Sequence, residues 1–198
     1  MNRDELNRDG LCLASVRELL MLTGDDPDRE GLLETPDRVV RSFKELYAGY
    51  NIEPKSVIKA FDPEDVDLGE GTKFDEIVLV KNIELYSQCE HHMLPFFGRC
   101  HIAYMPTKKV LGVSKLVRLM EVFARRLQIQ ERIGKQITNA LMEFSDCSGA
   151  ACVIEAKHLC MTARGVQKQH SEMVTSSMQG CFLDNATTRQ ELMMLNKG

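Results

Sequence analysis

A chain of 198 residues, 43% hydrophobic and 27% charged, has the make-up of a globular protein and the length to bury one full core. Its net charge of −4 gives no reason to expect a nucleic-acid surface, and no apolar run approaches the length of a membrane span. The start, Met1-Asn-Arg-Asp-Glu-Leu6, lacks the apolar core of a signal peptide, and seven cysteines without disulfide-framework spacing read as reduced thiols of a cytoplasmic protein.

The spacing predicts a helix over 4–23, with Leu13, Val16 and Leu20 on one stripe and Gly10 weakening the first turn. Asp25-Asp-Pro-Asp28 breaks it. Thr35-Pro36 reads as an N-cap followed by proline at the first helical position. That second helix is expected to run to about Tyr47, to bury Val39, Phe43 and Leu46, and to end at Gly49. Arg38 and Lys44 fall on its polar side. Phe61 to Gly71 is acidic, holds Pro63, Gly69 and Gly71, and reads as a linker. Phe74 to Tyr86 is rich in β-branched residues and reads as one or two strands, with Phe97 to Tyr104 as the return strand.

Two helices follow. Ser114 suits an N-cap, and Leu116, Leu119, Met120, Phe123 and Leu127 form a stripe of period 3.6. Gln128 to Arg132 interrupts the pattern. Ile133, Ile137, Ala140, Leu141 and Phe144 then form a second stripe. Asp146 to Gly149 turns the chain into a β-like run, Ala151 to Cys160. Arg164-Gly165, a polar stretch of serines and threonines, and a short helix from about Thr187 complete the chain. Two helices, two strands, two helices, two strands and a tail indicate an α+β fold, an antiparallel sheet with helices on one face. Such a sheet leaves edges that invite pairing with another subunit.

The stretch Ser87-Gln-Cys-Glu-His-His-Met-Leu-Pro95 carries the clearest chemistry. It places a thiol and two of the five histidines within four residues, and Cys and His are the side chains zinc prefers. On a strand Cys89 and His92 would face opposite ways; on a turn they converge. Pro95 and Gly98 close the segment and favour a turn. A third ligand is best sought in Glu155-Ala-Lys-His-Leu-Cys160. Residues two apart on a strand share a face, so Cys160 can bind a metal while His158 stands beside it for acid–base work. His91 has the same relation to His92. Three protein ligands and an open position is the pattern of a catalytic zinc site, whereas a structural zinc would take a fourth ligand, which His91 or His158 could supply. Against this stands cysteine's tendency to fill cores, which is the expected role of Cys12, Cys100, Cys147 and Cys152. A zinc base deaminase would want His-x-Glu followed by Pro-Cys-x-x-Cys, and the second motif is absent.

Four motifs in order, Cys89-Glu-His-His92, Gly112-Val-Ser-Lys-Leu-Val-Arg118, Arg126-Leu-Gln-Ile-Gln-Glu-Arg132 and His158-Leu-Cys-Met-Thr-Ala-Arg-Gly165, resemble the GTP cyclohydrolase I family. The resemblance runs from about Gly31 to the C-terminus. It implies a tunnelling fold, an antiparallel four-stranded sheet with two inserted helices, preceded by an N-terminal helical region over 1–60, with the catalytic domain over 61–198. It implies Zn2+ on Cys89, His92 and Cys160, with His91 and His158 as proton carriers and Ser114 as a relay in later steps. It implies that Gln130 and Glu131 read the guanine edge, and that Lys115, Arg118 and Arg164, with Ser114, surround the triphosphate and ribose. The reaction implied is hydrolytic opening of the guanine imidazole ring of GTP. Formate leaves and 7,8-dihydroneopterin triphosphate forms, the first step of tetrahydrofolate or tetrahydrobiopterin biosynthesis. The assembly implied is a decamer of two pentamers, with active sites between subunits.

Overall fold

The computed structural model describes residues 3–58, 76–107 and 110–197. The acidic linker expected over Phe61 to Gly71 lies outside the described residues. The chain divides into two compact units, Met1–Ala48 and Gly49–Gly198.

The first unit is a helix pair, α1 (Arg3–Leu22) and α2 (Thr35–Leu46). Leu13, Val16 and Leu20 are half-buried, as their stripe predicts. Thr35 is not the cap; Glu34 precedes the helix, and no side chain caps it. Phe43 and Leu46 are each 40% exposed rather than buried. A two-helix unit encloses too little volume to cover both sides of its apolar residues. Cys12 is likewise exposed, not a core filler.

The second unit is built on one sheet, strand order β3-β1-β2-β4-β5. The strands are β1 (Val78–Cys89), β2 (Pro95–Pro106), β3 (Leu127–Gln128), β4 (Cys147–His158) and β5 (Met173–Gly180). The four long strands are antiparallel, and the polar serine and threonine stretch is the fourth of them. A fifth, β3, adds two residues parallel to β1, beside Gln88 and Cys89. Its Leu127 was expected on the preceding helix. That helix, α4 (Val113–Ala124), ends before Leu127, and the chain there turns into the sheet. Short helices α3 (Pro54–Val57), α6 (Leu159–Thr162) and α7 (Cys181–Asp184) flank the sheet, with α5 (Gln130–Phe144) and α8 (Ala186–Lys197). No helix among the described residues is long and apolar enough to cross a membrane.

The main core lies between the sheet and α4 (Val113–Ala124) with α5. Leu116, Leu119, Met120 and Phe123 from α4 and Ile133, Ile137 and Leu141 from α5 are buried on Leu85, Phe96, Ile102 and Tyr104. Cys100 and Cys152 belong to this core as free thiols, and Cys147 packs at its margin. Helices do not keep to one face. Phe182 of α7 and Leu192 of α8 pack with Ala103, Met105 and Ala151 on the opposite side. Ser114 is inside α4, one residue past its first position, and the cap position belongs to Gly112. The Tyr104 hydroxyl accepts from the Leu111 amide at 2.8 Å and so fixes the approach to α4.

Gly49 does not end α2, which stops at Leu46. It is needed for close approach. A Cβ there would lie 2.2 Å from the Val122 carbonyl oxygen and 2.8 Å from that of Arg125. The Gly49 amide donates to Arg125 O, and Arg126 Nε donates to Gly49 O, both at 3.1 Å. The Leu127 amide donates to the Tyr50 hydroxyl at 3.1 Å, which pins the start of β3.

His101 sits on β2 between Cys100 and Ile102 and faces the other side of the sheet. It is 6% exposed, and among the described residues neither ring nitrogen has a hydrogen-bond partner. Burial pushes its pKa below the ordinary value of about 6.5; Glu155 opposes the shift, and Lys81 and Arg99 add to it. The folded state therefore resists a proton that the unfolded chain accepts. Stability is full above about pH 6.5 and is lost as pH falls toward the folded value. Melting temperature should drop between about pH 7.5 and about pH 5.5, and His101→Leu should make that drop shallower. An equal slope in both proteins would show that His101 stays neutral, or finds a partner, in acid.

Candidate metal centre and active site

The turn after β1 is closed by backbone bonds. Met93 N–H donates to Cys89 O at 2.8 Å, and Cys89 N–H donates to Leu94 O at 2.9 Å. Glu90 N–H donates to Gln128 O at 3.0 Å, so the two-residue β3 braces the turn. Met93 takes a φ of 53°, a left-handed backbone rarely adopted by a side chain of this size. The reversal brings the Nδ1 atoms of His91 and His92 to 3.9 and 3.8 Å from Cys89 Sγ.

Cys160 approaches from the end of β4. It was expected on the strand, sharing a face with His158. The strand instead ends at His158, and Cys160 lies on α6, a single turn closed by Ala163 N–H donating to Leu159 O at 2.9 Å. Leu-Cys-Met-Thr-Ala holds good helix formers and no proline or glycine, and where the pairing of β4 with β2 ends the local preference prevails. The outcome is convergence. One ligand atom each from Cys89, His92 and Cys160 lies within 4.8 Å of the other two. Cys89 is buried, Cys160 half-buried and His92 exposed.

The donor set suits a metal ion. Two sulfurs and an imidazole are the ligands of a borderline-soft cation. Burial pushes the Cys160 thiol up, and the neighbouring Cys89 adds to that, while Arg164 pulls the other way. A cation at the centre inverts this balance, because a coordinating thiol is deprotonated outright.

Glu90, in the middle of the motif, was not anticipated as a structural part. Its carboxylate takes both guanidinium nitrogens of Arg132 on α5, one at 3.0 Å and the other closer. Arg132 holds that carboxyl below its usual range. The pair ties the ligand turn to α5. Its only sequence signal is opposite charge inside two separate motifs.

His158 stands at the last position of β4, half-buried, with its ring stacked on Phe96 at 4.5 Å and an interplanar angle of 5°. Its Nε2 lies 2.9 Å from Gln130 Oε1. Burial lowers its pKa, and Glu131 opposes that. Gln130, expected at a ligand edge, is 1% exposed, with its amide engaged by the protein. Glu131 beside it is exposed. Ser114 and Arg118 are exposed and Lys115 is half-buried on the first turns of α4. Among the described residues none of the three hydrogen-bonds to the thiol–imidazole cluster. Arg164 is exposed in the loop after α6. His91 is exposed, 3.9 Å from the Glu90 carboxylate.

These features define an α+β protein whose sheet ends in a Cys-His-Cys group able to hold a metal, with a second histidine fixed beside it. The family model described as GTP cyclohydrolase I matches residues 12–197, and the chain belongs to that family. It is 50% identical over 186 residues to the GTP cyclohydrolase 1 of Acetivibrio thermocellus, covering 93% of this chain and 95% of that one. It is 51% identical over 184 residues to the Wolinella succinogenes protein of the same name, covering 90% and 92%. The Campylobacter lari protein is 50% identical over 181 residues, covering 91% and 92%.

The Glu90–Arg132 pair makes a testable demand on the turn. Arg132→Met should lower affinity for a divalent metal ion by about 10–100-fold, as loss of a group that orients a ligand typically does. Competition against a chelating dye measures this, with circular dichroism confirming an intact fold. Unchanged affinity would show that backbone bonds alone set the turn.

Proposed function

We propose that the chain catalyses hydrolytic opening of the guanine imidazole ring of GTP, releasing formate and forming 7,8-dihydroneopterin triphosphate. The observation that carries this reading is the convergence of Cys89, His92 and Cys160, with His158 fixed two residues from Cys160. Relatives about half identical over nearly the whole chain bear the name of that activity.

In this reading Cys89, His92 and Cys160 would hold zinc. Bound there, zinc would supply Lewis acidity and lower the pKa of a water to about 7. The protein does the rest. Exposed Glu131 accepts from the ring N–H and exocyclic amine of guanine together, and adenine offers an acceptor at that edge instead. Lys115, Arg118 and Arg164 grip the triphosphate, the arginines through paired donors. His158 passes a proton to the imidazole ring of the base, and His91 is the second proton carrier. Ser114 relays a proton in the later rearrangement of the ribose. The catalytic domain spans 61–198 and the helical region 1–60.

The same reading takes the functional unit to be a decamer of two pentameric rings. Supporting it, β1 is paired on its outer side only at Gln88 and Cys89, and β5 has no outer partner among the described residues. Such edges present unpaired backbone groups. Sedimentation at micromolar concentration should show a large particle, and an active monomer would overturn this part.

Incubation with GTP should yield formate and, after oxidation, a fluorescent pterin. His158→Ala leaves the three proposed ligands and the charged residues in place. Its zinc content and GTP affinity should match wild type, while formate release falls by about 10²–10⁴-fold, the usual share of acid–base catalysis. Zinc lost in step with activity would make His158 a ligand and close the open position.

A further inference from the structure

Gln130 is the first residue of α5 and is 1% exposed, yet it is a polar side chain with four hydrogen-bonding positions. Its Nε2 donates to Ile154 O at 2.9 Å, to Met173 O at 3.0 Å and to Thr175 Oγ1 at 3.1 Å. Two of these three partners are backbone carbonyls, which can only accept. They settle which end of the amide is nitrogen, because the reversed amide would set oxygen against two carbonyl oxygens in a buried place. The oxygen therefore points at His158 Nε2, 2.9 Å away. An amide oxygen only accepts, so His158 Nε2 must carry the hydrogen. The bare nitrogen of the neutral ring is Nδ1, so a proton that the ring passes to substrate is first taken up there.

We infer that Gln130 is a positioning residue: it fixes His158 as the Nε2–H tautomer and obliges the ring to meet substrate through Nδ1. Phe96 sets the plane of that ring by stacking, and Gln130 sets its rotation within the plane. The Gln130 amide reaches β4 and β5 at once through Ile154 and Met173, so the ring's orientation is referenced to the sheet rather than to the loop after α6. With both amide hydrogens committed and only 1% of its surface exposed, Gln130 has no donor left to offer the base. That task falls to Glu131 alone among the pair. The assignment deepens the proposed function and rests on His158 acting there as a proton carrier.

The test uses zinc-loaded enzyme labelled with 15N-histidine. Five histidines make the spectrum tractable, and His158→Ala identifies the signal. Wild type should show His158 bare at Nδ1 and protonated at Nε2. Gln130→Met keeps the length and removes the acceptor. It should mix the two tautomers and lower kcat for formate release by about 100-fold, the scale of a misplaced catalytic group, with KM for GTP within about twofold. Gln130→Glu keeps an acceptor for His158 Nε2–H, while its second oxygen, only when protonated, donates to one of the two carbonyls; it should retain the tautomer at a cost in stability, and the wild-type tautomer tests the inference even where either variant folds poorly. Two results would overturn the inference: a neutral wild-type ring protonated at Nδ1 and bare at Nε2, or a Gln130→Met enzyme with raised KM and unchanged kcat, the mark of a residue that contacts the base. Failure of the underlying reading looks different, because His158→Ala would then release formate at the wild-type rate while the tautomer stayed as assigned.

Discussion

Strand register decides where the chemistry of this chain can occur. Gln88 of β1 lies opposite Pro95 of β2, and Phe96 of β2 lies opposite His158 of β4. The turn holding Cys89 and His92 and the strand end holding His158 thus meet at one end of the sheet. A slip of one residue between β2 and β4 would carry every side chain of β4 to the other face. The slip is opposed by buried residues on both faces, Ile102, Tyr104 and Ile154 toward the main core and Ala103 and Ala151 toward the smaller one. The hydrophobic cores therefore do more than stabilise the unit. They hold two motifs about seventy residues apart in sequence within reach of one ion.

Once the register is set, the site is held by two polar devices of different kinds. The ligand turn is clamped to α5 by the paired charges of Glu90 and Arg132, partly open to water. Such a pair aims a carboxylate well but contributes modestly to stability. His158 is aimed by a neutral amide in a nearly closed space, where each hydrogen bond made avoids a desolvation cost of about 1–3 kcal/mol. Both devices start from the first turn of α5, at Gln130 and Arg132. That turn is the shared reference for ligand and proton carrier, and β3, just before it, braces Glu90 through the Gln128 carbonyl.

Much of this was legible in the residues. Periodic stripes located α4 and α5, and Cys89-Glu-His-His92 announced a turn with converging ligands. The parts that were not legible share a cause: each depends on a neighbour distant in sequence. Leu127 fits the helical stripe of α4, yet it pairs with Gln88 because β1 offers an open edge there. Cys160 fits a strand alternation, yet the pairing of β4 with β2 ends at His158 and the chain beyond closes into a helical turn. Phe43 and Leu46 have the pattern of core residues in a unit too small to bury them. Gln130 stands in a polar run that interrupts the stripes, and its partners Ile154, Met173, Thr175 and His158, all distant in sequence, explain its burial.

Burial also divides the site by role. The groups that aim others, Gln130 and Phe96, are fully enclosed, whereas Glu131, Arg118 and Arg164 lie open to water. A lone charge taken out of water costs several kcal/mol, while a neutral amide with every bond satisfied does not, so the fold can afford to enclose only the second kind. Open charges, however, grip weakly. Two unit charges 4 Å apart attract by about 1 kcal/mol in bulk water and by about 4 kcal/mol at an effective dielectric of 20. The exposed set proposed for the triphosphate would gain most of its strength when a second surface excludes water from it. Among the described residues, most of the outer side of β1 and that of β5 present backbone donors and acceptors to which another strand could pair. The proposed edge-to-edge assembly and the proposed binding of a polyanion would thus make the same demand, the arrival of a neighbouring surface.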